Sequence, residues 1–382
     1  MHIASYLFLL LLSTPLLIAG ANEYYNFTRD QRSLIGYVWE GGIIPYEFKP
    51  DFPSRDRAMF VQTARFIEQR TCIQFREKLA SDRFWLILVL GGCCGTHGGR
   101  RPELEGKGQE ATFSSGLPMP FYLHELGHTF GFPHEQDRPD WPEYAWWDDN
   151  KQDTCKGFSP GFLQFQAKVE QAALDIPFDY VSLMADWTEC WWPKPPTPKN
   201  IPLGGGGSDD RTYSVLDIER INAVHGCGKC YGYRFRKITQ LSYNQRPVQA
   251  GYELDKKIFY ICRVYHEGHL LIGKSRPDDD KCWVGWDNGE TEYKERFSVL
   301  TNPGNEANFR WIRSTGSIPS GAIKGGRTKD RETIYVGRCK INVDNRDTLI
   351  PGFYLESKPG ELRVPFGGGV RRCNDFEALV CQ

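Results

Sequence analysis

His124-Glu125-Leu126-Gly127-His128-Thr129-Phe130-Gly131-Phe132-Pro133-His134 is the stretch on which the reading of this chain turns. On a helix His124 and His128 are four residues apart and share one face, so both imidazoles can grip one cation. Glu125 sits about 100° round the helix from His124, beside the ion rather than on it. Gly131 lets the helix stop and the chain swing back. That return offers His134 as a third nitrogen. Three imidazoles suit zinc and leave one position open, the pattern of a catalytic rather than a closed structural site. Glu125 is then placed as general base for hydrolysis at a carbonyl, with one Zn2+ as the cofactor. A bare His-Glu-x-x-His arises by chance, but the added glycine and third histidine at fixed spacing make chance a poor account.

Outward from this run, Tyr122 to Phe130 is expected as a helix ended near Gly131, and Gln109 to Phe113 as an edge strand that binds an extended peptide. Phe84 to Leu90 is a continuous apolar run, read as a central strand. Trp39 to Phe48 and Cys72 to Phe75 read as further strands. Ser54 to Gln69 reads as a helix with Ser54 as N-cap and an apolar face of Phe60, Val61, Ala64 and Ile67. Trp191 to Asp210 is rich in proline and glycine and reads as a long surface loop. Ser214 to Val224 reads as a closing helix on Val215, Ile218 and Ile221. Trp141, Trp146, Trp147, Trp191 and Trp192 are candidates to wall a cleft.

The chain has 382 residues, enough for two or three domains. With 47 Lys+Arg against 48 Asp+Glu, its formal charge is −1, which excludes a global field able to hold nucleic acid. Tyr6 to Ile18 is a short apolar core followed by Ala19-Gly20-Ala21, the layout of a secretory signal over residues 1–21. No later stretch is long and apolar enough for a membrane span. The expected location is therefore extracellular, where the 12 cysteines read as disulfides. Asn26-Phe27-Thr28 has the form of a glycosylation acceptor.

The extended segment HELGHTFGFPHEQDRPD resembles the astacin family of zinc endopeptidases, a branch of the metzincins. Trp39-Glu40-Gly41-Gly42-Ile43-Ile44-Pro45-Tyr46 is similar to that family's first strand, and Asp179-Tyr180-Val181-Ser182-Leu183-Met184 to the approach to its Met-turn. Leu216 to Asn222, followed by Cys227, is similar to its closing helix. The resemblance implies a protein or peptide substrate, Met184 as a packing floor beneath the zinc, and a Cys72–Cys227 disulfide. It also implies Glu135 as the carboxylate that receives the amino terminus of the matured enzyme, with residues 22–29 a short pro-segment or tail and the protease domain over residues 30–227. Cleavage after Arg29, or at Arg32, would give such a start. One departure stands out. The family continues Met-His-Tyr, and the tyrosine stabilises the oxyanion; here the order is Met184-Ala185-Asp186. Asp186 cannot donate to an oxyanion at neutral pH and could instead reach the zinc. Cys93, Cys94, Cys155 and Cys190 leave two pairings open: Cys155–Cys190 with a vicinal Cys93–Cys94 bridge, or two cross-bridges.

Beyond Cys230 the pattern changes to strands and turns with an internal repeat over residues 247–301 and 317–380. Phe259-Tyr260-Ile261-Cys262-Arg263 matches Ile334-Tyr335-Val336-Gly337-Arg338, and Phe297-Ser298-Val299-Leu300 matches Phe376-Glu377-Ala378-Leu379. Ile272-Gly273-Lys274 falls where Pro351-Gly352-Phe353 falls. Upstream, Gln249-Ala250-Gly251 is similar to Pro319-Ser320-Gly321. This unit resembles the DM-nine repeat of mannose-binding lectins and natterin-type toxins, over residues 228–382. The resemblance implies sugar-binding residues Glu253 and Lys274 in copy one, where copy two has Thr328 and Phe353, and mannose-type glycans as partners. The six cysteines from Cys230 onward are expected to pair within this domain. The fold class expected is α+β: a metzincin-type catalytic domain, with a twisted mixed sheet and an active-site helix, followed by an all-β domain of two duplicated units. The function expected is a secreted zinc endopeptidase tethered by a glycan-binding module. The alternative is a glycan-binding protein on a weakened protease scaffold.

Overall fold

Periodicity of two and of 3.6 both leave their mark on the first module. The computed structural model describes residues 37–92, 94–148, 176–186, 190–195, 203, 211–237, 246–276 and 280–382. The signal segment, Asn26, Arg29, Arg32, Cys93 and Cys155 lie outside the described residues. Strands β1 (Ile43–Phe48), β2 (Gln74–Glu77), β3 (Leu86–Leu90), β4 (Gly95–Thr96) and β5 (Gln109–Phe113) form one mixed sheet in the order β2-β1-β3-β5-β4. The apolar run expected as a central strand is β3. It is flanked by parallel partners on both sides, and Leu86 and Leu88 are fully buried.

Helix α1 (Ser54–Glu68) covers this sheet through Phe60, Ala64 and Ile67. Two expectations for it fail. Pro53 is the N-cap and makes no side-chain cap, so Ser54 is already helical. Val61 points outward at 37% exposure, and Thr63 is buried in its place. Gln109–Phe113 is a strand, but not the edge strand expected: β4 pairs antiparallel with Thr112 and Ala111 and forms the sheet's rim. Helix α2 (Met119–Thr129) carries the first two histidines and starts after Pro118 with Pro120 in its first turn. Inside the segment expected to be all loop, β7 (Trp191–Pro193) pairs with β6 (Ala145–Trp147), because its apolar side chains pack on Phe178 and Tyr180. Helix α3 (Val215–Val224) is capped by Ser214, whose hydroxyl accepts from the Asp217 N–H, while the Asp217 carboxylate accepts from the Ser214 N–H. The Cys72–Cys227 disulfide ties its end to β2.

Among the described residues the second module is one fourteen-stranded sheet. Copy one supplies β8 (Arg234–Lys237), β9 (Gln249–Tyr252), β10 (Ile258–His266), β11 (His269–Arg276), β12 (Lys281–Trp286), β13 (Gly289–Tyr293) and β14 (Phe297–Thr301). Copy two supplies β15 (Phe309–Arg313), β16 (Lys324–Arg327), β17 (Thr333–Val343), β18 (Arg346–Leu355), β19 (Lys358–Phe366), β20 (Gly369–Cys373) and β21 (Glu377–Cys381). The order is β15-β21-β17-β16-β11-β12-β13-β20-β19-β18-β9-β10-β14-β8. Exchanging each strand for its counterpart in the other copy reverses that order onto itself, so the duplication is a two-fold arrangement in space. The first hairpin strand of each copy crosses over to the other: β9 pairs with β18, and β16 with β11. That crossing corrects one expected correspondence. The partner of Gln249–Gly251 is not Pro319–Gly321 but β16. A Cβ on Gly251 would lie 1.9 Å from the Leu349 carbonyl oxygen, and one on Gly326 would lie 2.0 Å from that of Leu270. The equivalent glycines mark equivalent close approaches. Three disulfides, Cys230–Cys381, Cys262–Cys282 and Cys339–Cys373, pair all six cysteines of this module as expected. The modules share a small apolar cluster of Ile176, Leu216 and Leu270.

Candidate metal centre

Helix α2 presents His124 and His128 on one face, and their rings stand 4.9 Å apart between centroids. Gly131, at φ +95°, turns the chain after the helix; its N–H caps the His128 carbonyl at 2.8 Å. The returning chain brings the His134 ring to 5.3 Å from His124 and 4.8 Å from His128. One ligand nitrogen from each of the three lies within 4.8 Å of the others. Carbonyls fix two of the rings. The Nδ1 of His124 donates to Leu183 O at 2.9 Å, and the Nδ1 of His128 to Phe132 O at 2.7 Å. A carbonyl only accepts, so each ring carries its proton on Nδ1 and turns Nε2 to the common point. For His134 the outer partner is a carboxylate, Asp137, at 3.5 Å from Nδ1. Such outer partners orient ligand imidazoles and raise their basicity.

Burial holds the first two imidazoles in the neutral form that a metal needs. It lowers His124 to about 4 and His128 well below its ordinary value. Burial pulls on His134 as well, but the hydrogen bond to Asp137 and the charge of Asp186 outweigh it and raise this residue to about 9. Glu125 is 5% exposed, and its Oε2 has no hydrogen-bond partner. Burial raises its carboxyl to about 8. Three convergent imidazoles beside an unpartnered carboxylate oxygen are a donor set that fits Zn2+.

Met184 is fully buried beneath this cluster. A Cβ on Gly127 would lie 2.2 Å from its Sδ, so any larger residue there would force the methionine side chain to shift. Glu135 is enclosed by polar partners. Its carboxylate, 1% exposed, accepts from Arg220 at 2.6 and 3.0 Å, from the Asp179 N–H at 2.7 Å and from Arg138 at 3.4 Å. The residues that would supply a matured amino terminus precede residue 37 and lie outside the described residues. Asp186 is 3.7 Å from the Nε2 of His134 with a side chain 38% exposed. Its backbone is held by Gln136 Oε1 at 3.0 Å and by the indole N–H of Trp191 at 3.1 Å. Of the five tryptophans expected to wall a cleft, Trp141 and Trp191 are core residues, whereas Trp146 is 42% exposed.

The sequence reading passed over Asp137, Asp179, Asp217 and Arg220 as members of this site. For Asp217 and Arg220 the signal is a charged pair three residues apart on α3, and both are buried. In the second module Glu253 and Lys274 are not paired with each other. Lys274 is 7% exposed and is held by Glu290 at 2.9 Å and the Pro365 carbonyl at 2.8 Å, while Glu253 pairs with Arg276. The two pairs flank the Phe259 ring, with Lys274 at 5.5 Å and Arg276 at 5.7 Å. In copy two, Phe353 takes the lysine's position and stacks on Trp286.

With this geometry in view, similarity to known proteins can be placed on it. Residues 31–189 match the family model of the Astacin peptidases, and residues 227–293 and 253–345 match that of the DM9 repeat. Tolloid-like protein 1 of Homo sapiens is 36% identical over 130 residues, which is 33% of this chain and 12% of that protein. Dorsal-ventral patterning protein tolloid of Drosophila melanogaster is 31% identical over 208 residues, 50% of this chain and 18% of that protein. The chain thus spans less than a fifth of the length of these two curated relatives. Among solved structures, high choriolytic enzyme 1, a hatching enzyme zinc-protease from Oryzias latipes (Medaka fish), is 24% identical. That match covers 50% of this chain and 94% of the other, with a TM-score of 0.40. The chain carries a domain of the astacin peptidase family joined to DM9 repeats.

Proposed function

We propose that this chain is a secreted zinc-dependent endopeptidase, with His124, His128 and His134 as the ligands of one Zn2+ and Glu125 as general base. The observation that carries the reading is the convergence of three imidazole nitrogens within 4.8 Å beside a buried carboxylate. When bound there, Zn2+ supplies Lewis acidity, polarising a carbonyl and bringing the pKa of a water near neutrality. Glu125 takes a proton at Oε2 and later hands it to the leaving amine. The chain at Gly99 packs on the end of α2, its N–H bonded to the His128 carbonyl at 2.8 Å. An extended peptide would lie along the rim strand β4 by backbone pairing. Four disulfides among the described residues, one of them spanning the first module, favour an oxidising compartment. No helix among the described residues is long and apolar enough to cross a membrane.

The DM9 module is the proposed glycan-binding tether, its contact in copy one around Glu253, Arg276 and Phe259, an aromatic face flanked by charged groups. Lys274 is mostly enclosed by Glu290, so a sugar would meet the Glu253–Arg276 side first. The reading of the chain as a lectin with a weakened protease half draws on Asp186, an acceptor at a position where an oxyanion would want a donor. One assay separates the two. The full chain should cleave a denatured protein substrate, stop with a chelator and fail as Glu125→Ala. If wild type and Glu125→Ala are equally inert on a broad peptide library, the lectin reading stands. A glycan array then tests the tether: Glu253→Ala should lose the signal that Thr328→Ala retains.

A further inference from the structure

The two modules meet on the segment that orients the metal ligands, and they meet through buried charge. Arg327, on β16 of the second module, pairs with Asp179 of the first, Nη2 to Oδ1 at 3.3 Å, with side chains 3% and 0% exposed. The hydroxyl of Tyr265, on β10, faces the same oxygen at 3.5 Å. Arg263, also on β10, pairs with Glu219 of α3 at 2.7 Å, with exposures of 0% and 7%. The other oxygen of Glu219 accepts from the Phe235 N–H at 2.9 Å.

From these two anchors, hydrogen bonds joined by short runs of covalent chain lead to the ligand rings. The N–H of Asp179 donates to Glu135, the residue after His134, and its Oδ1 accepts from Val181 N at 3.2 Å. Asp217, on the same helix as Glu219, accepts from the Ser182 hydroxyl at 2.6 Å and from Leu183 N at 2.9 Å. The carbonyl of Leu183 is the group that holds His124 by its Nδ1. The carbonyl of Met184 accepts from Glu135 N at 2.9 Å. Arg220, next to Glu219, grips Glu135 through both of its terminal nitrogens. A buried ion pair adds little net stability once desolvation is counted. Adhesion alone would be met by apolar contacts of the kind Leu270 already makes with Ile176 and Leu216.

We propose that the DM9 module is part of the support of the metal centre, with Arg327 and Arg263 acting as positioning residues. Arg327 fixes the 179–184 segment, and with it the Leu183 carbonyl that orients His124. Arg263 fixes α3, and with it the Asp217 and Arg220 contacts to the same segment and to Glu135. The inference rests on the zinc reading of the three histidines.

The test uses the full chain at a temperature where circular dichroism shows each variant folded. Zn2+ affinity is read by competition with a coloured chelator, and ligand geometry by the visible absorption of the Co2+-loaded protein. Arg327→Met and Arg263→Met should each weaken Zn2+ binding several-fold, below the roughly 10- to 100-fold cost of losing a group bonded directly to a ligand ring, and shift the Co2+ band. Arg327→Lys, a point charge in place of a fork, should fall between wild type and Arg327→Met. It carries the test if the methionine variants do not fold. Arg313→Met, which breaks the exposed pair with Asp375, should leave both readings unchanged. Variants with lowered melting temperature but wild-type Zn2+ affinity and Co2+ spectrum would overturn the proposal and leave the module merely docked. A wild type that binds no Zn2+ would instead remove the metal reading itself.

Discussion

Helix α2 and the duplicated sheet hold their polar groups in opposite ways. On α2 the two histidines and Glu125 lie within five residues of one another, and a single turn at Gly131 adds the third ring. Nothing among the described residues duplicates them. The sheet builds each feature twice, then lets the copies diverge: Lys274 with its ion pair in one, Phe353 stacked on Trp286 in the other. Duplication keeps the backbone, as the matched glycines Gly251 and Gly326 show, and frees the side chains to differ. The first region should therefore be brittle toward single substitutions that leave the fold intact, and the second tolerant of them.

The sharpest break of that contrast is Glu125→Ala. It should reduce peptide hydrolysis by about 10²- to 10⁴-fold, as loss of a general base does, while metal content stays at the wild-type level. Retained activity would show that another group takes the proton.

Crosslinks give the next largest effect and compare the two regions directly. Cys72–Cys227 closes a separation of 155 residues in sequence, and Cys262–Cys282 one of 20. On the loop-entropy account, paired serine substitutions should cost about 5 kcal/mol in the first case and about 3 kcal/mol in the second. Denaturant unfolding of the two double variants would reverse the ranking if strain rather than loop length governs.

Acid should act on both regions alike. His225 in the first module and His269 in the second are each lowered to about 4, chiefly by burial. The folded state refuses a proton that the unfolded chain accepts, so their contribution is full above pH 6.5 and is lost as pH falls from 6.5 toward 4. Each accounts for roughly 2–3 kcal/mol of that loss. His225→Phe and His269→Phe should flatten the stability profile in this window; profiles parallel to wild type would place the acid sensitivity elsewhere.

The smallest effect belongs to Asp186. Asp186→Tyr should raise the rate about tenfold by supplying an oxyanion donor, less than a fully pre-organised donor is worth. A fall in rate would assign the carboxylate beside His134 a role of its own.

What could be read from the sequence follows from distance along the chain. The three histidines, Glu125 and the helix they ride on are local, and their spacing alone assembles them. The duplication was legible from its paired strands, though the β9 correspondence slipped, because the glycines that mark it answer to carbonyls in the other copy. Helix α3 was read by its apolar residues, yet it buries Asp217, Glu219, Arg220 and Asn222. A helix lying between two modules satisfies charge from both sides, and periodicity of apolar residues is blind to that. The ring-orienting carbonyl of Leu183 is backbone, so no residue type announces it. Asp179 and Arg327 are 148 residues apart, and only the folded chain brings them together.

His124, His128 and His134 are predicted to share one ion. Metal analysis of the purified, folded chain after Zn2+ loading and desalting tests it most directly. About one Zn2+ per chain, lost in a folded His128→Ala variant, is the predicted result; a folded wild-type chain that stays metal-free, or a His128→Ala variant that holds Zn2+ as tightly, would contradict it.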